Sequence, residues 1–152
     1  MPKNLELKAR LHSLAPGLAA CRTLGARKVG VLRQTDTYFR VSSGRLKLRE
    51  CHGRPAELIY YRRPDRRGRR LSEYTILPLP QRGNLRSFFS NALAIIGTVK
   101  KERTLYVYRN ARIHLDRVTG LGTFVEFEVL VVRGAKQAHR LLNLLSEHFL
   151  IR

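Results

Sequence analysis

Strand after strand in this chain carries one apolar face and one face crowded with charge. Asn4 to Leu11 places apolar residues at 5, 7, 9 and 11, with Glu6, Lys8 and Arg10 between them. A period of two is that of a β-strand, whose successive side chains point to opposite faces. Arg45, Lys47 and Arg49 alternate with Leu46 and Leu48, and Arg112, His114 and Asp116 alternate with Ile113 and Leu115. Glu126 and Glu128 point the same way between Val125, Phe127 and Val129. A half-solvated sheet ordinarily shows a mixture of small polar and charged residues on its wet face. Two arrangements accommodate the pattern here. Either the charged faces meet solvent on an open sheet, or the sheet curls so that they look inward and the apolar faces pack outward against helices. The second is an inside-out barrel, a polar tunnel in which many cations and a few carboxylates converge. Periodicity alone leaves both open.

Further strands are expected at 29–34, 37–41, 57–63 and 72–77, and at 98–108, 111–118 and 123–132. Ser13 offers an N-cap to a short helix carrying Leu14, Leu18, Cys21 and Leu24, which Gly25 stops. A second helix is expected to start near Asn84, bury Leu85, Phe88, Phe89, Leu93 and Ile96, and stop at Gly97. A third, over 135–149, puts Ala138, Leu141, Leu142, Leu145 and Phe149 on one stripe. Roughly eight strands in runs, against three helices, point to antiparallel pairing in an α+β fold. The expectation is one domain over 1–152, an eight-stranded antiparallel β-barrel tunnel with a charged interior and about three helices packed outside.

Thirty Lys and Arg against 11 Asp and Glu give a formal charge of +19, which points to an anionic partner. Apolar runs such as Leu77 to Pro80 and Val129 to Val132 fall far short of the ~20 residues of a membrane span. Lys3, Glu6, Lys8 and Arg10 interrupt any signal-peptide core. Cys21 and Cys51 are too few for a disulfide framework or a zinc site, so a reducing cytoplasm is the expected location.

Glu-x-Glu carboxylates are hard oxygen ligands suited to Mg²⁺ or Mn²⁺. Surrounding Arg and Lys hold phosphate oxygens, Arg through a bidentate fork and Lys as a point charge. Together they describe a metal–polyphosphate site. No Walker A pattern occurs, and Gly120-x-Gly122 precedes a strand rather than a helix, so it is not a dinucleotide fingerprint.

Seven segments in order, Glu6-x-Lys8-Ala9-Arg10, Arg45-Leu-Lys47-Leu-Arg49, Tyr61-x-Arg63-Pro64-Asp65, Ser72-x-Tyr74, Lys101-x-Arg103, Arg112-Ile-His-Leu-Asp116 and Gly120-Leu-Gly122-x-Phe124-x-Glu126-x-Glu128, resemble the CYTH superfamily of triphosphate tunnel enzymes. The layout is similar to short prokaryotic proteins that resemble class IV adenylyl cyclases. The resemblance implies an eight-stranded tunnel, a divalent metal held by carboxylates, and a triphosphate among inward cations. By position it implies Glu6, Asp116, Glu126 and Glu128 as metal ligands. It implies Lys8, Arg10, Lys47, Arg49, Arg63, Lys101, Arg103 and Arg112 as the phosphate cradle, with Glu6, Lys8, Arg103 and Arg112 closest to the chemistry. Asp116 also reads as a salt-bridge partner that orients Arg112, and His114 as a hydrogen-bonding support or a general base. The family pattern opens Glu-x-Glu-x-Lys, and Asn4 stands at its first Glu, which weakens a second metal site.

Two classes of function follow. The first is an enzyme acting on ATP, thiamine triphosphate or tripolyphosphate, either as an adenylyl cyclase or as a triphosphate hydrolase. The second is a basic nucleic-acid or polyphosphate binding module, drawn from net charge and from the six Arg between Arg62 and Arg70. The carboxylates of Glu126 and Glu128 speak against it, because they repel phosphate unless a cation sits between. A homodimer is compatible with either. The implied site accounts for a net of only about four positive charges, which leaves most of the charge outside it.

Overall fold

A computed structural model of the chain describes residues 1–80 and 83–151. Among the described residues, strands β1 (Lys3–Leu11), β2 (Arg27–Phe39), β3 (Arg45–Cys51), β4 (Ala56–Arg62), β5 (Arg70–Leu79), β6 (Ile95–Tyr108), β7 (Ala111–Val118) and β8 (Gly122–Leu130) close into one barrel. The order around it is β1-β5-β4-β3-β2-β6-β7-β8, and every neighbouring pair is antiparallel. Helices α1 (Ala15–Leu24), α2 (Leu85–Ala92) and α3 (Ala135–His148) complete the fold. Among the described residues, no helix is long and apolar enough to cross a membrane.

The hydrophobic core lies outside the barrel wall. Val125, Phe127 and Val129 of β8 and Ile113 and Leu115 of β7 are fully buried, and they cluster with Cys21 of α1 and with Ala138, Leu141, Leu142 and Leu145 of α3. Phe149, just past α3, sets its ring edge-on to Phe127 at 5.1 Å. Gly17 lets α1 press against β7, because a Cβ there would lie 2.8 Å from a Leu115 methyl carbon. With the apolar faces covered from outside, the period of two sends the intervening charged residues inward. The inside-out arrangement is therefore the one adopted.

Three local expectations are corrected. The first helix is not capped by Ser13: the N-cap is Leu14, without a side-chain hydrogen bond, and Pro16 in the first turn supplies the start instead. Residues 29–34 and 37–41 are not separate strands: 29–34 and 37–39 belong to the 13-residue β2, in which Thr35 and Asp36 pair with Glu50 and Arg49 of β3, and residues 40 and 41 lie beyond its end. An aspartate is tolerated inside this strand because its carboxylate turns into the barrel and meets an arginine. The second helix starts at Asn84 as expected, with the Asn84 side chain accepting a hydrogen bond from the Ser87 amide, but it ends at Ala92. Ile96 and Gly97 belong to β6, where pairing of Ile95 with Phe39 and Gly97 with Tyr38 offers the backbone a ladder. Phe88 is 69 % exposed rather than buried, while Phe89 packs on Phe39.

Truncating a core residue under α3 is expected to be costly and truncating the exposed ring is not. Leu142→Ala should lower the unfolding free energy by about 2–5 kcal/mol, and Phe88→Ala by less than about 0.5 kcal/mol. Urea denaturation followed by circular dichroism measures both.

Candidate functional site

The register of the strands assembles the barrel interior. Glu6 of β1 sits across from Glu128 of β8 on one side and from Arg70 of β5 on the other. Lys8 and His114 both flank Glu126, and Arg112 flanks Glu128. On the far wall Arg49 of β3 lies opposite Asp36 of β2, and Arg103 of β6 opposite Asp116 of β7. One central cavity results, into which three carboxylates (Glu6, Glu126 and Glu128) and eight cations project. Counting the buried Asp36 and Asp116 as well, eight basic groups meet five acidic ones, a net of three positive charges.

Two carboxylate–guanidinium clamps fix the cationic wall. Arg103 donates from Nε and Nη2 to the two oxygens of Asp116, each at 2.8 Å, and both residues are buried. Arg49 does the same to Asp36 at 2.9 and 2.8 Å, with Lys47 Nζ 3.2 Å from the same carboxylate. Burial alone would raise the pKa of both aspartates. The guanidinium hydrogen bonds and neighbouring charges reverse this and hold them below the ordinary carboxylate range. The arginines are thus locked before any ligand arrives, which is the preorganisation an anion-stabilising site needs.

The carboxylate cluster is divided between the two states. His114 donates from Nδ1 to Glu126 at 3.1 Å, and ligand atoms of His114, Glu126 and Glu128 lie within 4.8 Å of one another. Glu126 is held well below the usual range: burial opposes ionisation, but the His114 hydrogen bond, Arg103 and Lys8 outweigh it. Glu6, by contrast, is pushed up to about 7, first by burial and then by the charges of Glu126 and Glu128, with Arg63 at 3.2 Å only partly offsetting them. Crowded oxygen donors that cannot all ionise at ease without a cation between them fit a hard divalent metal. Of the cations, Lys101 is lowered to about 8 by burial and by Arg103.

Of the residues that the sequence singles out, Glu6, Lys8, Lys47, Arg49, Arg63, Lys101, Arg103, Arg112, Glu126 and Glu128 line the central cavity. Asp116 is buried behind it with both oxygens engaged by Arg103, not by Arg112. Arg10 lies apart, donating to the Leu121 carbonyl and lining a separate depression with Phe124. Two site residues were not singled out. Asp36, between two threonines, looks like a turn residue; only its pairing register with Arg49 reveals it. Arg70 is hidden among the arginines of the β4–β5 loop, and its place opposite Glu6 is a matter of register. Asn4 lines the cavity where the family pattern has a glutamate.

The CYTH domain family model matches residues 2–146. No curated protein sequence matches the chain. Among solved structures, a protein from Pyrococcus horikoshii superposes with a TM-score of 0.83 at 21% identity, covering 98% of this chain and 91% of that one. A candidate adenylate cyclase from Vibrio parahaemolyticus gives 0.75 at 18% identity, with 96% and 87% covered. A candidate adenylyl cyclase from Hippeastrum, described as having a dominant triphosphatase activity, gives 0.67 at 16% identity, with 97% and 88% covered.

Two outcomes follow from the electrostatics. A metal bound by the carboxylate cluster competes with the proton on Glu6, so affinity for a divalent cation in the ligand-free protein should rise as pH climbs through about 7. On the expectation that Lys101 holds phosphate, it must be charged to do so, and triphosphate affinity should fall as pH passes about 8. Calorimetric titrations across pH test both: Glu6→Gln should abolish the first dependence and Lys101→Arg the second. Separately, Asp36→Asn should lower the unfolding free energy by about 3 kcal/mol, because it leaves the half-buried Arg49 without its counter-charge. Asp65→Asn, at an exposed pair with Arg45, should cost about 1 kcal/mol or less in the same denaturation experiment.

Proposed function

This chain belongs to the CYTH domain family, and on that footing we propose that it is a divalent-metal-dependent enzyme acting on a nucleoside triphosphate, with the reaction of a class IV adenylyl cyclase. The observation that carries this reading is the enclosure of three carboxylates and eight cations in one cavity. A nucleic-acid binding module has no use for inward carboxylates. A triphosphate enzyme needs them to hold a cation against phosphate oxygens. Glu6, Glu126 and Glu128 would hold the metal, Mg²⁺ or Mn²⁺, and His114 would orient Glu126. The cation, when bound, neutralises phosphate charge and favours ionisation of the attacking hydroxyl.

The chain's own residues supply the rest. Arg49, Lys47, Lys101 and Arg63 receive the phosphate chain, and Lys8, Arg103 and Arg112 face the carboxylates from their flanks. In the cyclase reaction the ribose 3′-oxygen attacks the α-phosphorus, the bond to the bridging oxygen breaks, and pyrophosphate leaves as the hydroxyl loses its proton. Charge builds on the oxygens that these cations already surround, so their contribution is stabilisation by fixed positive groups. Asp116, saturated by Arg103, serves to hold that guanidinium in place. Tyr38, Ile59, Tyr61 and Ile76 line the same cavity and give an organic group on the triphosphate an apolar wall.

Triphosphate hydrolysis is the second reading. The same cradle serves water attack on a terminal phosphorus, and the Hippeastrum relative is described as predominantly a triphosphatase. Incubating the protein with ATP, thiamine triphosphate or tripolyphosphate and Mg²⁺ or Mn²⁺ separates the two. Cyclic AMP plus pyrophosphate is the expected product from ATP, and orthophosphate marks hydrolysis. Arg112→Ala should lower kcat about 10²-fold or more, and Glu126→Ala should abolish turnover. If no triphosphate is consumed and Glu126→Ala changes nothing, the enzyme reading is wrong.

A further inference from the structure

Beside the central cavity lies a second depression, walled by Lys8, Arg10, Arg66, Arg67 and Arg70 around the ring of Phe124. Among the described residues that line it there is no carboxylate. Lys8 and Arg70 have Glu126 and Glu6 across the ladder, but five cations gathered around one depression still repel one another, so the arrangement has to be enforced by something else as well. Phe124 provides part of the enforcement: Lys8 Nζ and Arg10 Cζ lie 4.9 and 4.8 Å from its ring centroid, and Arg10 also donates to the Leu121 carbonyl. The β4–β5 loop that carries Arg66 and Arg67 is tied down on both sides. Asp65 accepts from Arg45 of β3, and Arg69 bonds to His139 and Asn143 of α3. The loop therefore presents its arginines from a fixed position.

Two observations connect this depression with the central cavity and leave it short of a partner. Lys8 and Arg70 line both spaces. Among the described residues the buried Nε of Arg70 has no hydrogen-bond partner, a state that costs free energy until an acceptor arrives. We propose that this depression is a phosphate subsite that continues the tunnel's cradle outward, so that the protein binds linear phosphate chains longer than a triphosphate. The proposal rests on reading the central cavity as the triphosphate site. A bare phosphate chain is the occupant we favour over a nucleic acid, because among the described residues lining the depression the one aromatic ring is already engaged by two cations, and the rest of the polar lining is cationic groups suited to phosphate oxygens.

Calorimetry with the full-length protein in EDTA, where metal-dependent turnover is suppressed, tests it with tripolyphosphate and with longer linear polyphosphates. The longer chains should bind at least about tenfold more tightly, as one or two charge-assisted hydrogen bonds would give. The double variant Arg66→Ala/Arg67→Ala, exposed loop residues outside the central cavity, should lose that gain while its affinity for tripolyphosphate stays unchanged. Affinity that does not depend on chain length overturns the proposal. So does a gain that survives in the double variant, which would mean only that longer chains offer more registers to the tunnel. Single-stranded RNA with a 5′-hydroxyl is the third probe, and an equal loss of RNA binding in the double variant would make the loop a general polyanion surface and overturn the subsite. Failure of tripolyphosphate to bind, with longer chains still bound through Arg66 and Arg67, would instead overturn the reading of the tunnel and leave the outer site standing alone.

Discussion

Everything in this structure depends on the presence of charge inside a barrel. A closed sheet whose interior is filled with apolar side chains needs no particular order among them. A closed sheet filled with lysine, arginine, glutamate and aspartate must place each charge against a partner or against water, since an isolated buried ion costs several kcal/mol. The molecule meets this requirement in two ways. On one wall, Asp36 and Asp116 each take a guanidinium in a two-pronged grip, so that cations and anions are satisfied by each other. On the other, burial first and then the neighbouring charges of Glu126 and Glu128 drive Glu6 towards its protonated form. The first wall is complete in itself. The second is complete only with a proton or a metal.

That division is what a triphosphate enzyme of this family requires. Rigid cations can lower the energy of charge developing on phosphorus only if they do not have to reorganise during the reaction. The buried aspartates remove that need, at the expense of part of each arginine's donor capacity. Glu6, for which Arg63 only partly offsets burial and the charges of Glu126 and Glu128, leaves the cluster an affinity for a cation that fully satisfied carboxylates would lose. Stability comes from elsewhere: the apolar side of the same strands packs against α1 and α3, and the interior is free to be polar because it is not the core.

Much of this was legible in the alternation of single residues. Ile113 and Leu115 between Arg112, His114 and Asp116, and Phe127 between Glu126 and Glu128, state which residues share a face. The seven in-order segments led to the tunnel fold and to ten of the cavity's charged residues. Failures came where a local signal was overruled from a distance. Thr35-Asp36 falls between two expected strands, yet it runs through β2 without a break because Arg49 waits across the ladder. Ile96 and Gly97 extend a helical pattern, yet they join β6 because β2 offers them hydrogen bonds. Arg10 shares the inward face of β1 on paper, but the Leu121 carbonyl and Phe124 draw it aside.

The sequence by itself determined that the sheet would have an apolar and a charged face, that the charge would be strongly positive with a few clustered carboxylates, and that the order of motifs matches one family. These are properties of neighbouring residues, which period and composition report directly. Only the tertiary structure decided which charges face which. Whether an aspartate holds an arginine, whether three glutamates crowd to the point of shifting a proton, and whether Arg70 stands beside Glu6 all depend on register between strands distant in the chain. A one-residue slip would send each of these side chains to the other face.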